Sequence, residues 1–153
     1  MDIDTLSSAM DQARARQVIA HIEFLRSARQ LHARGMTQTE LADRNRVSQP
    51  GMRQMLLRAE VQAPEIRPGT HGGTAYEIAV RCAAGEIDPT TMRRELIEWT
   101  YDRYDGPANP FEYANDVPPI IEGSFNNQVG RAHSEGFLTA EDYGLVLDAL
   151  ADD

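Results

Sequence analysis

Helix punctuation is what most limits the folds open to this chain. Start and stop signals recur along it: Gly35 ahead of Thr37, Ser48 ahead of Pro50, Thr74 ahead of Glu77, Asp88 beside Pro89, and Gly136 ahead of Thr139. Ser, Thr and Asp start helices because their side-chain oxygen accepts a backbone N–H that the first turn leaves unpaired. Glu40 and Glu77, three residues after their caps, complete capping boxes. Pro50 and Pro89 fit a first turn, where no N–H is needed. Glycine ends a helix by taking a left-handed conformation. Apolar residues between these marks recur at three- and four-residue steps, the period of a helix. The expected class is all-α.

The first segment is the longest. From Ser7 to Met36 there is no Pro and only one Gly, at Gly35. Leu6, Met10, Val18, Ile22, Leu25, Ala28 and Leu31 give it an amphipathic pattern, as one helix or two end to end. A second helix starts at Thr37, and a third runs from Ser48 to about Glu60. The stretch "QAPEIRPGTHGGT" reads as a linker or a hairpin. Further helices follow in "AYEIAVRCAAG", "PTTMRRELIEW", "SFNNQVGRAHSEG" and "TAEDYGLVLDALADD". Between them Asp105–Gly123, rich in Pro, Asn and Asp, reads as irregular. The expected division is a helix-turn-helix region over 1–62, a connection over 63–73 and an acidic helical region over 74–153.

A repeat lies within the acidic region. "IAVRCAAGEIDPTTMRREL" aligns with "VGRAHSEGFLTAEDYGLVL" at an offset of 51 residues. Each copy reads helix, glycine stop, apolar residue, cap, helix. That is a helical hairpin whose loop residue, Ile87 or Leu138, plugs its open end. Turn chemistry alone would also bring hairpins to this pattern.

Charge divides the chain. The net charge is −9, and every basic residue is arginine. Residues 1–70 hold ten Arg against eight Asp and Glu, for +2; residues 71–153 hold five against sixteen, for −11. An acidic half will not lie along a phosphate backbone, whereas a weakly basic half can. No apolar run approaches the roughly 18 residues of a membrane span. The acidic start "MDIDTLSSAMD" lacks the apolar stretch of a signal peptide. The single cysteine, Cys82, allows no internal disulfide, and a cytoplasmic setting follows as the default.

The first half contains "MTQTELADRNRVSQPGMRQMLL", Met36–Leu57. When a bracing helix crosses a second helix after a tight turn, three positions are sterically constrained. A small residue must sit at the crossing, and Ala42 does. The turn needs a residue tolerant of left-handed geometry, for which Asn45 is the best non-glycine candidate. An apolar residue must plug the corner, and Val47 does. Leu41, Met52 and Met55 or Leu56 then face inward.

On these residues the stretch resembles the Cro/repressor-like helix-turn-helix family. "TQTELADRNRVSQPGMRQML" follows its pattern of polar-Gln-x-Glu-Leu-Ala, a turn, then Val-Ser-Gln. The resemblance implies a helical DNA-binding domain, commonly dimeric, that regulates transcription. Carried over by position, Gln38 and Ser48 would reach phosphates, and Gln49, Arg53 and Gln54 would face base edges or backbone. Arg44 and Arg46, at the turn, suit phosphates. Gln can bond bidentately to adenine and Arg to guanine. Pro50 and Gly51 depart from the pattern, standing where the family carries longer polar side chains, and Asn45 replaces its turn glycine.

Elsewhere the sequence offers less chemistry. His21, His32, His71 and His133 have no metal-ligand spacing, and "GTHGG" lacks the Lys and helix of a phosphate loop. Cys82, inside a helix, reads as buried and inert. No nucleophile–base arrangement is recognisable, so neither an enzyme, a metal nor a cofactor is expected. Five of ten aromatics, Trp99, Tyr101, Tyr104, Phe111 and Tyr113, fall within fifteen residues. They either tie a loop to the core or anchor a protein partner.

The sequence thus reads as a DNA-binding transcriptional regulator of prokaryotic or phage type. It is expected to be a homodimer, with the acidic half mediating dimer formation or binding a toxin-like partner. A small DNA-binding head with an acidic end also looks like an autoregulating antitoxin or immunity repressor. The rival is a protein-interaction module whose acidic half binds or neutralises a basic partner.

Overall fold

A computed structural model describes residues 1–103 and 121–152. The protein is all-helical, with no strand among the described residues. In chain order the helices are α1 (Ile3–Ala33), α2 (Gln38–Asn45), α3 (Gln49–Gln62), α4 (Ala75–Ala83), α5 (Pro89–Glu98), a π-helical turn (Asn126–Gly130), α6 (Arg131–Ser134) and α7 (Ala140–Ala151).

The helices begin where the caps dictate. Thr37 accepts the N–H of Glu40, Ser48 that of Gly51, Thr74 that of Glu77, Asp88 that of Thr91 and Thr139 that of Asp142. The stretch expected as a single helix, "SFNNQVGRAHSEG", opens instead with a π-turn ahead of α6. Gln128 sits in it, and its side chain reaches out of the helix, accepting from Tyr76 N at 3.0 Å and donating to Glu122 O at 2.6 Å.

α1 is a single helix, and its apolar residues do not form one face as the sequence reading had them. Ile22, Leu25 and Ala28 are buried, whereas Leu6, Met10 and Leu31 are 54, 68 and 37% exposed. Two causes act: Leu6 and Met10 lie within the first twelve residues, all of them exposed, and Leu31 lies on the opposite side of the helix from Ile22 at about 100° per residue.

The main core crosses the expected boundary at 63–73. Ala15, Ile19, Ile22 and Leu25 of α1 and Ala59 of α3 pack with Ile78, Val80, Met92, Leu96, Val129 and Val146. Segment 63–73 is a turn, closed by Arg67 N donating to Gly72 O at 3.1 Å. A buried ion cluster fastens it. Arg26 donates to Pro64 O at 2.8 Å and forks onto the Glu77 carboxylate, which also accepts from Gly73 N at 2.9 Å and from Arg81 at 2.8 and 3.0 Å.

The two halves of the repeat take the same form. Gly85 and Gly136 have φ of +84° and +85°. In each, the glycine N–H and the next N–H close the helix: Gly85 to Cys82 O and Glu86 to Arg81 O, Gly136 to His133 O and Phe137 to Ala132 O. α5 then packs on α7 and α4 on α6, and Arg93 pairs with Asp142 between the hairpins at 2.5 Å.

Candidate nucleic-acid interface

α2 and α3 enclose a small core of their own. Leu41, Ala42 and Met52 are fully buried in it, and Met36, Val47, Met55 and Leu56 pack around them. Ala42 and Val47 thus hold the places that helix-crossing sterics assign to a small residue and a plug. Val47 N donates to Ala42 O at 3.0 Å, which fixes the plug against the end of α2.

The turn differs from expectation by one residue. Arg46, not Asn45, is left-handed, at φ 56° and ψ 42°. Asn45 remains helical because its side-chain amide donates back to Leu41 O at 2.8 Å, completing the last turn of α2. The reversal passes to Arg46, and a non-glycine residue there carries a strain of about 1–2 kcal/mol.

The expected DNA-contacting side chains divide by role. Gln49, Arg53 and Gln54 are exposed on α3, with Gln49 and Arg53 one turn apart at i and i+4. Arg44 and Arg46 are exposed at the end of α2 and in the turn. Ser48 is the N-cap of α3, its hydroxyl accepting from Gly51 N at 3.0 Å. A Cβ on Gly51 would stand 2.9 Å from that hydroxyl, which gives a local reason for glycine. Gln38 is partly buried and donates to Gln49 O at 3.0 Å, tying the starts of α2 and α3 together.

Two further exposed cations, Arg34 and Arg58, lie in the same stretch of sequence. Residues 34–58 hold five Arg against Glu40 and Asp43, a local charge of +3. None of the five is in an ion pair among the described residues. A charge count over this window alone would have found Arg34 and Arg58. α3 packs on α1 and α2, and its outer residues stay open to solvent.

Of the expected aromatic partner site, two residues are described, and both turn toward the core. Trp99 is buried at 8% exposure, with the Arg67 guanidinium 3.8 Å above its ring. Tyr101 packs edge-on against Phe125 and donates its hydroxyl to Leu96 O. Both turn inward because they close the end of α5 over the core. Tyr104, Phe111 and Tyr113 lie outside the described residues.

Burial, then the charges of Asp142 and Asp88, push the Cys82 thiol up, which opposes thiolate formation. His71 bonds to Glu95, His32 to Met36 O, and His133 stacks on Tyr143. A cleft of about 390 Å³ beside α1 is lined by His21, Tyr76, Gln128, Arg131 and Glu135 among others. Its polar groups face one another: Tyr76 donates to Glu135 at 2.6 Å, and Arg131 stacks on the Tyr76 ring. Among the described residues no group of three or more potential metal ligands gathers, and no helix is long and apolar enough to cross a membrane. No protein-family model, curated protein or solved structure matches the chain.

Proposed function

We propose that this protein is a DNA-binding transcriptional regulator of prokaryotic or phage type, acting in the cytoplasm, with α3 as its recognition helix. One observation carries the reading. The α2–turn–α3 unit has a small residue at its crossing and an apolar plug at its corner, and it exposes Gln49, Arg53 and Gln54 beside arginines that make no ion pair among the described residues. Gln and Arg are the side chains that read adenine and guanine edges bidentately. The flanking arginines supply the counterion-releasing contacts that hold a protein on phosphate.

The finer role is that of an autoregulating antitoxin or immunity repressor, the acidic half being the partner-binding end. The rival is a protein-interaction module with no DNA function, favoured by the −11 of residues 71–153. Against it, Glu77, Glu86, Glu95, Glu135 and Asp142 of that half are already paired within the chain.

Titration of the full chain against duplexes from around its own gene, and against scrambled duplexes at two salt concentrations, tests this. Gln49→Ala or Arg53→Ala should cost about 1–3 kcal/mol on the specific site and relax base preference there. Arg44→Ala should weaken every duplex alike and flatten the salt dependence. Equal, sequence-blind losses from all three would reject base readout. No binding to any duplex would leave the interaction module.

A further inference from the structure

α1 carries a second apolar row that nothing in the described chain covers. Ile3, Leu6, Met10, Phe24 and Leu31 are 79, 54, 68, 37 and 37% exposed. Every residue from 1 to 12 is exposed, so the first turns of α1 project past the core. The row also takes in Ala13, Gln17, Ala20 and Ser27, and its steps alternate three and four from Ile3 to Leu31. That is a heptad repeat, sustained over four heptads, on the side of α1 away from Ile19 and Ile22.

We infer that this row is the interface of a homodimer, in which α1 packs antiparallel against α1 of a second copy. A stripe of period 3.5 fits another helix bearing the same stripe. Among the described residues only α1 has one of this length; the next longest helix, α3, has 14 residues.

Side-chain size and charge choose the orientation and the register. In an antiparallel pair each first-position residue of one heptad faces a fourth-position residue of the other. Setting Leu6 against the partner's Leu31 places Met10 on Ser27, Ala13 on Phe24 and Gln17 on Ala20. Three of these four layers match a larger side chain with a small one. The same register puts Arg16 beside the partner's Glu23 on the flank, twice by symmetry. A slip of one heptad in one direction would oppose Arg16 to Arg16; in the other, Glu23 to Glu23. A parallel pair would set Phe24 on Phe24 and Arg16 near His21. Arg16 has no acidic partner among the described residues of its own chain, and the exposed Glu23 offers its second oxygen beyond Arg81. This interface is independent of DNA binding and places dimer formation on α1 rather than in the acidic half.

The test is the solution mass of the full chain, followed by dilution. The single chain is 17.1 kDa, and a species of twice that mass is expected. Leu6→Glu should yield a monomer with unchanged helicity, since Leu6 supports nothing in its own chain. Arg16→Glu should weaken the dimer at least tenfold, and Arg16→Glu with Glu23→Arg should restore it. In a Cys82→Ser background, Met10→Cys with Ser27→Cys should oxidise to a covalent dimer, and Met10→Cys alone should not. A monomer at every concentration, or a dimer indifferent to Leu6→Glu, would overturn the inference. Loss of the dimer in both charge variants without rescue, together with no crosslink, would overturn the antiparallel register.

Discussion

Arg26 and Glu77 meet as a buried forked ion pair that joins α1 to α4, across 51 residues of sequence. Arg26 is 7% exposed and Glu77 fully buried. Further bonds hold both groups: Arg26 also donates to Pro64 O, and Glu77 also accepts from Gly73 N and Arg81. Such a pair is costly to desolvate and still more costly to break. Arg26→Ala would leave the buried carboxylate with Arg81 and the Gly73 N–H alone, and Pro64 O without its donor. The expected loss is on the order of 3 kcal/mol, the lower end of the cost of breaking a buried pair, read as a shift of the denaturation midpoint. Arg29→Ala, which removes a half-exposed pair with Glu65, should cost far less, on the order of 1 kcal/mol or below. Similar losses from the two would contradict the placement of Arg26.

The same cluster sets a pH dependence. Burial alone would push the Glu77 carboxyl up, but the Arg26 guanidinium, the Gly73 N–H and Arg81 outweigh it and hold the group below the ordinary 4.5. The unfolded chain therefore takes up this proton more readily than the folded one. The stabilisation is complete above the ordinary glutamate range and disappears as pH falls through the depressed folded value. Melting temperature should begin to drop as pH falls below about 5 and go on dropping until the depressed folded value is passed. Glu77→Gln should be less stable at neutral pH and show a flatter profile over that window. A mutant profile as steep as the wild type would assign the acid sensitivity to other carboxylates.

Ala42 fills the crossing of α2 and α3 at 1% exposure, between Leu41 and Met52. Ala42→Leu should therefore destabilise the protein by about 1–3 kcal/mol through overpacking. An unchanged melting temperature would show that the helices do not cross at that residue.

The two repeat halves make a paired prediction. Gly85 and Gly136 share a left-handed backbone and the same two closing hydrogen bonds. Alanine at either should cost about 1–2 kcal/mol in backbone strain. At Gly85 the new methyl would also stand 2.5 Å from the Gln12 amide, and at Gly136 3.1 Å from an Arg14 nitrogen. Both neighbours are ends of flexible side chains, so the backbone term should dominate and the two losses should be alike. Strongly unequal unfolding free energies would mean that the repeat is one of sequence without shared mechanics.

What the sequence makes legible is local. Caps at Thr37, Ser48, Thr74, Asp88 and Thr139 lie where they were read, because a cap depends only on residues three positions away. Ala42 and Val47 were legible because a tight turn between two helices leaves few steric choices. The burial of Glu77 was not. As a capping-box residue it looked complete, and only the folded chain brings Arg26 to it. The exposure of Leu6, Met10 and Leu31 was not legible either, because spacing fixes a helix but not which face, or how much of its length, meets the core. Trp99 and Tyr101 carry no mark of direction, and packing decided it. In the turn, Asn45 could either go left-handed or bond back to Leu41 O, and the hydrogen bond won.

That outcome makes Arg46 the most informative position on the surface. It is the one non-glycine residue with positive φ among those described. Its backbone N–H closes α2, but its side chain is exposed and makes no ion pair among the described residues, so the side chain itself does not offset the strain. Strain of this kind persists where a side chain serves another purpose. If that purpose is a phosphate contact, stability and binding should move in opposite directions on substitution. Arg46→Gly should raise stability by about 1 kcal/mol by relieving the left-handed strain. It should also weaken binding to specific and scrambled duplexes equally, and lower the salt slope by about one phosphate contact. Arg46→Ala keeps the strain and loses the charge, so it should match the glycine variant in binding but not in melting temperature. Gain of stability with unchanged DNA affinity would remove Arg46 from the interface. Loss of stability in the glycine variant would show that the Arg46 side chain supports the turn.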